Sequence, residues 1–483
     1  MGRLFPALLL AAAAAGMLGG CASRPVNPPL SQVDQGAGYR YSTRLAHSKD
    51  PQNLVVLAFS GGGMRAAAFS YGVLEALRPI VLVGPQGGSI RMLDEVDVIT
   101  GVSGGSFTAL AYGLYGERLF DLYETSFLKR DVQGDLIRRV LSPATWGDWG
   151  RSETAAKYYD EILFHGATFA DLDRGSGPWI VASATDIANG ARVPFHQPMF
   201  DVLCSDLNAV PLSRAAAASS AVPTVFSPVT LDNYGGSCHF SMPPFLTVFS
   251  DPATRPRPAA RVLTRMQDVL FYEDSARRPY IHLLDGGLSD NLGMRAVLET
   301  VEDLEALSLI GRPTPLDHVR RIVVFIVDSR SNPTTDWYES ERHPGEIAML
   351  IKAAGVPIDH YSYDSVEALR DIIARWQTMR RLRESPAFDP GRDPDAARLL
   401  RTPSIDLYAI YVAFAALGDE AERAYLDALP TSFSLPPEAI DRLRAAAATI
   451  IRDSPDFRRL LEDAGARMVD GRADGGPPAP LAK

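Results

Sequence analysis

Glu95-Val96-Asp97-Val98-Ile99-Thr100-Gly101-Val102-Ser103-Gly104-Gly105 is the stretch that decides the fold. A β-branched run of strand length stops on a glycine-flanked serine. Phe107-Thr108-Ala109-Leu110-Ala111-Tyr112 continues from it as the first turns of a helix. Strand, sharp turn and helix around Gly-x-Ser-x-Gly is the nucleophile-elbow pattern: Gly101 and Gly105 leave room for the turn, and Ser103 projects at a helix N-terminus. The same alternation runs outward in both directions. Residues 54–59 read as a buried strand, followed by a helix over 64–78 with Phe69, Val73, Leu74 and Leu77 on one face. Residues 179–184 and 321–327 read as further buried strands. Strands alternating with helices predict an α/β fold with a mostly parallel central sheet covered on both faces.

Two other strings end strands. Ser60-Gly61-Gly62-Gly63-Met64-Arg65 follows the first strand, and its glycines bare backbone N–H groups that suit an oxyanion hole or a phosphate cradle. Gly61-x-Gly63-x-x-Ala66 also fits a relaxed dinucleotide fingerprint, but that reading needs an acid about 20 residues on. Val81 to Gly88 contains none. Tyr280-Ile281-His282-Leu283-Leu284-Asp285-Gly286-Gly287 ends in a carboxylate released by two glycines. Serine, N–H-rich loop and carboxylate at the carboxyl ends of parallel strands are expected to share one crevice. A histidine partner for the serine would come from His318, His343 or His360, none of which has a motif around it. His282, three residues before Asp285 in a period-two strand, reads as core. The chain has no H-E-x-x-H, EF-hand or Walker string, so no metal, cofactor or nucleotide is indicated.

Taken in order, the glycine loop, the elbow and the Asp-Gly-Gly string resemble those of the patatin-like phospholipases. Ala218-Ser219-Ser220-Ala221-Val222-Pro223-Thr224-Val225-Phe226 is similar to that family's alanine- and serine-rich block. The resemblance spans about residues 54–300. It implies a patatin-like three-layer α/β fold and an acyl hydrolase acting on ester bonds of membrane lipids, of phospholipase A or lysophospholipase type. It further implies a Ser103–Asp285 dyad with Asp285 as general base, and Gly61, Gly62 and Gly63, supported by Arg65, as the oxyanion loop. Acyl transfer is a variant of the same mechanism. The chain departs from the pattern at Ala66, where many members carry glycine, and in the long stretch 233–280. Two readings compete: an α/β-hydrolase-like Ser–Asp–His triad, and a catalytically silent lipoprotein that binds acyl chains or an envelope partner.

Of the 483 residues 46% are hydrophobic and 22% charged, the make-up of a globular protein rather than a multi-span one. A formal charge of −10 argues against a nucleic-acid partner. Met1-Gly2-Arg3, an apolar run from Leu4 to Ala15, and Leu18-Gly19-Gly20-Cys21 resemble a bacterial lipoprotein signal. Residues 1–20 are therefore expected to be a signal peptide and Cys21 a lipidated anchor. Ala22, in place of aspartate, implies sorting to the outer membrane of a Gram-negative envelope. Residues 21–50, with Pro25, Pro28 and Pro29, read as a tether. Residues 54–300 read as the catalytic domain, with 233–280 as an insertion. Residues 301–470 read as an extension that turns largely helical, and 471–483 as a disordered tail. In that extension Ser362 is expected to cap a helix with Val366, Leu369, Ile373, Trp376 and Met379 on its buried face and arginines opposite. Cys204 and Cys238 are an even pair that can close a disulfide in an oxidising compartment, with two free buried thiols as the alternative, and their spacing is no metal signature.

Overall fold

Along β1 (Asn53–Phe59), Val55, Leu57 and Phe59 enter the larger core on one side of a sheet, while Val56 and Ala58 enter a second core on the other. Both faces are covered, which is why the strand reads as an unbroken apolar run. The computed structural model describes residues 24–44, 50–83, 89–142, 150–247, 260–309, 313–314, 317–331, 337, 339, 341, 343–386, 388–389, 391 and 405–468. The expected signal peptide, Cys21 and the tail 471–483 lie outside them.

After β1 the chain forms α1 (Gly63–Leu77), β2 (Val96–Val102), α2 (Gly104–Tyr115), α3 (Val132–Leu141), β3 (Trp179–Asp186) and the short β4 (Arg192–Pro194). Next come α4 (Leu212–Ser219), β5 (Val229–Asp232), α5 (Ala260–Glu273), β6 (Tyr280–Asp285), α6 (Gly287–Asp290) and α7 (Met294–Leu309). Then come β7 (Arg321–Asp328), α8 (Glu346–Glu384), β8 (Asp406–Ala413) and α9 (Pro437–Asp453), with shorter helices between these elements and a last helix (Pro455–Ala464) and short strand (Arg467–Met468) after them. The strands order as β8-β7-β1-β2-β3-β6-β5, with β4 paired to β3. From β8 to β3 all neighbours are parallel. Beyond β3 the sheet turns antiparallel, at β3–β6 and β5–β6. α1, α2 and α9 cover one face. On the other, Val297, Leu298 and Val301 of α7 and Val366, Leu369, Ile372 and Trp376 of α8 bury Val56, Val324 and Ile326. The result is a three-layer α/β fold, mostly parallel at its centre.

Several expectations need correction. β6 does not run with the other motif-bearing strands, because it enters the sheet from the opposite end. His282 on β6 is exposed rather than core, with Nδ1 3.1 Å from Thr230 Oγ1. Ser362 caps nothing: α8 begins at Glu346, and the Ser362 hydroxyl donates to Ile358 O inside the helix. β8, unforeseen, extends the parallel sheet from within the region expected to be helical. α5 lies inside the stretch 233–280, with Val262 and Tyr272 buried. Residues 24–44, expected as part of a tether, pack on the domain instead. Arg24 pairs with Asp232, Asn27 bonds Ser205, and Tyr39 is fully buried with its hydroxyl accepting the Ile180 N–H at 2.7 Å. Cys204 and Cys238 are disulfide-bonded beside this segment, and Leu30 N–H donates to Cys204 O.

Candidate active site

β2 ends at Val102 and α2 begins at Gly104, so Ser103 is the whole turn between them. It sits at φ 49°, ψ −119°, a conformation an L-residue adopts at a cost of roughly 1–3 kcal/mol and only when its surroundings enforce it. Those surroundings are in place. Ser103 N–H donates to Ser219 Oγ at 2.9 Å, and Ser103 O accepts both the N–H and the hydroxyl of Ser106. The turn between β1 and α1 abuts the elbow. A Cβ on Gly104 would lie 1.9 Å from Gly63 O, so any larger residue there forces the two turns apart.

Within the glycine loop the residues divide the labour. Gly61 N–H is already engaged, donating to Asn291 O at 2.9 Å, and Met64 N–H donates to Ser432 O. Gly61 therefore shapes the loop rather than offering its N–H to a ligand. Gly62 and Gly63, at φ 141° and 61°, start α1, where first-turn N–H groups lack helical acceptors. Arg65 is buried and its guanidinium holds three groups from distant loops: Ser329 O, Leu429 O and the Thr431 hydroxyl. Burial lowers its pKa to about 10. It clamps the loop in place.

Asp285 ends β6 level with the elbow, because the antiparallel pairing puts it opposite Ala184, one residue beyond the Ser183 that pairs with Val102. Its carboxylate accepts the Gly287 N–H at 2.8 Å on Oδ1, and the Ser103 hydroxyl beside it favours the ionised form. Burial pushes the carboxyl up to about 6, against the opposing pull of those two donors. The end of α4 ties base to nucleophile. Ser219 Oγ donates to Ser183 O at 2.7 Å while accepting the Ser103 N–H, Ser219 O accepts the Gly286 N–H, and Ala221 O accepts the Asp285 N–H.

These groups line a cavity of about 570 Å³ that includes Gly61, Gly62, Arg65, Ser103, Asp285 and Gly287, with Val222, Pro223, Leu288 and Ile358 as apolar wall. His318, His343 and His360 are exposed, and no histidine is among the lining residues. His318 stands just before β7, at the end of the sheet opposite Ser103, and His360 lies midway along α8. Ser219, Asn291, Ser329 and Arg330 were missed as site residues. Ser219 carried a signal in the alanine- and serine-rich block, and Asn291 stands in the Asp290-Asn291-Leu292-Gly293 string that follows Asp-Gly-Gly. Groups of three or more metal-ligating side chains do not occur among the described residues.

Residues 57–298 match the family model described as patatin-like phospholipase. No curated protein matches the chain. Among solved structures, human GIVD cytosolic phospholipase A2 aligns over 88% of this chain at 12% identity and a TM-score of 0.38, and the chain spans 65% of that protein's length. The type III effector protein ExoU aligns over 86% of this chain and 76% of its own, at 14% identity and a TM-score of 0.19.

Proposed function

Because the chain belongs to the patatin-like phospholipase family, we propose that it is a lipid acyl hydrolase of phospholipase A or lysophospholipase type working through a Ser103–Asp285 dyad. The observation that carries this reading is the Ser103 hydroxyl beside a buried carboxylate with a raised pKa, in a part-apolar cavity with no histidine among its described lining residues. Ser103 Oγ attacks the ester carbonyl and passes its proton to Asp285. The N–H groups of Gly62 and Gly63 receive the charge on the carbonyl oxygen. Asp285 returns the proton to the leaving alcohol, then takes one from the water that attacks the acyl-serine and hands it to the departing Ser103 Oγ, which releases the fatty acid and restores the starting enzyme. A carboxyl near 6 is a better base than an exposed aspartate and is still mostly ionised at neutral pH. Reaction needs no cofactor in this scheme. The N-terminal signal supports a lipid anchor at Cys21 and an outer-membrane location, which would hold the enzyme beside its substrate.

Labelling with a fluorophosphonate tests the proposal. Label is expected on wild type and none on Ser103→Ala; a folded wild type that takes no label defeats the hydrolase reading. Asp285→Asn is expected to abolish turnover, with alanine at His318, His343 or His360 harmless. A histidine variant as inactive as Asp285→Asn defeats the dyad. Membrane fractionation of Cys21→Ser tests the anchor.

A further inference from the structure

Nothing in its own backbone requires glycine at Gly61: its φ lies outside the left-handed region, and its N–H is taken by Asn291 O. What a side chain there would strike is the Asn291 amide. A Cβ on Gly61 would lie 2.5 Å from Asn291 Oδ1 and 3.3 Å from Ser103 Cβ. Laid end to end, the 2.5 Å and 3.3 Å legs keep the amide oxygen within 5.8 Å of the nucleophile's Cβ. A Cβ on Gly287 would lie 3.0 Å from the same Oδ1 and 3.1 Å from Asp285 Oδ1, and these legs keep it within 6.1 Å of the base. The two glycines leave open the space into which Asn291 projects, beside both members of the dyad. Asn291 lines the Ser103 cavity, and among the described residues its side-chain amide has no hydrogen-bond partner. Its oxygen is an acceptor held in place by its own main chain, with nothing yet to accept from.

We propose that the Asn291 amide holds the water of the second half-reaction and so favours hydrolysis of the acyl-serine over transfer of the acyl group to an alcohol. The role rests on the hydrolase reading of the same site. One water hydrogen goes to the Asp285 carboxylate and the other to Asn291 Oδ1, which leaves a lone pair for the acyl carbon. A water donating to two acceptors at about 2.8 Å each bridges a gap of roughly 4–5 Å, inside the limits just given. As the water oxygen bonds to the acyl carbon, its first proton passes to Asp285. The bond from carbon to Ser103 Oγ then breaks, and that proton passes to Oγ. Asn291 stays neutral and gains no proton. An alcohol has one O–H, which the base takes, so it has none left for the amide. The first half-reaction involves no water and does not call on Asn291.

The test gives the full chain p-nitrophenyl butyrate in buffer containing methanol and measures butyrate against methyl butyrate. That ratio is set after the acyl-serine has formed, so it depends neither on the rate of acylation nor on the fraction of enzyme that folds. Asn291→Leu keeps the size of the side chain and the main-chain bond to Gly61 but removes the acceptor. It is expected to shift the ratio toward methyl butyrate roughly tenfold, the worth of one hydrogen bond, with fluorophosphonate labelling at the parental rate. Asn291→Gln, which restores an amide one methylene further out, should recover part of the shift. A parental product ratio in Asn291→Leu, or labelling slowed as much as hydrolysis, overturns the proposal while the hydrolase reading stands. A parent that takes no label and cleaves no ester removes the hydrolase reading and this role with it.

Discussion

Gly104→Ala isolates the contact on which the site depends. A methyl at this position would sit 1.9 Å from Gly63 O and 2.7 Å from Gly63 C, and both are backbone atoms with no rotamer to yield. Cβ contacts essentially never fall below 3.0 Å, so the elbow and the glycine loop must part by about 1.1 Å. Overpacking of this kind costs about 1–3 kcal/mol of stability. The catalytic loss should be larger, because the displacement runs between the nucleophile and the N–H groups opposite it. A misplacement of about 1 Å costs on the order of a hundredfold in rate. Thermal unfolding, the rate of fluorophosphonate labelling and kcat/KM on p-nitrophenyl butyrate read the two effects separately. The expected variant is folded, with its Tm lowered by a few degrees and labelling slowed about a hundredfold. Gly345→Ala, where a Cβ meets nothing within 4 Å, serves as control. A Gly104→Ala enzyme with parental kcat/KM would refute the geometry.

Three further outcomes are expected. Because burial raises Asp285 from 3.8 to about 6, the folded state holds its proton more tightly than the unfolded chain does. The stability this gives is full below about pH 4 and lost as pH rises through about 6. Asp285→Asn escapes that loss, so its stability relative to wild type should climb between about pH 4 and 8, by on the order of 3 kcal/mol at most, while wild-type activity rises through about pH 6. Ser219→Ala strands the buried Ser103 N–H, and an unsatisfied buried donor costs about 1–3 kcal/mol. Its kcat should fall roughly tenfold with KM little changed, and Ser219→Thr should recover part of the loss. Replacing both Cys204 and Cys238 by alanine opens a loop of sequence separation 34, costing about 2–4 kcal/mol, and should expose residues 24–44 to protease before the rest of the domain.

What the sequence revealed depended on how local the signal was. β1 and β7 were legible because strands buried on both faces need continuous apolar residues. β8 alternates Tyr408, Ile410 and Val412 with less buried neighbours, a pattern that competes poorly beside long helical runs. α8 starts at Glu346, well before the Ser362 expected to cap it, and runs on through Gly355 and Pro357. Asp285 was assigned to the right crevice for the wrong reason, as the end of a parallel strand when β6 is antiparallel. Ser219, Asn291 and Ser329 act through hydrogen bonds to residues distant in sequence, and no spacing announces such contacts.

That opposed pairing sets how the molecule can change. Nucleophile and base arrive from opposite ends of the sheet, and their separation is fixed by the pairing of Asp285 with Ala184 and of Ser183 with Val102. Strand pairing moves only in whole residues, each step flipping a side chain to the other face. The dyad is therefore either aligned or absent, with nothing between. The stretch joining β5 to β6, residues 233–279, enters and leaves beyond this ladder. It carries Cys238 of the disulfide and the buried Val262 and Tyr272, and none of its described residues is in the cavity lining, so changes there bear on the stability of the fold before they reach the bond-breaking groups.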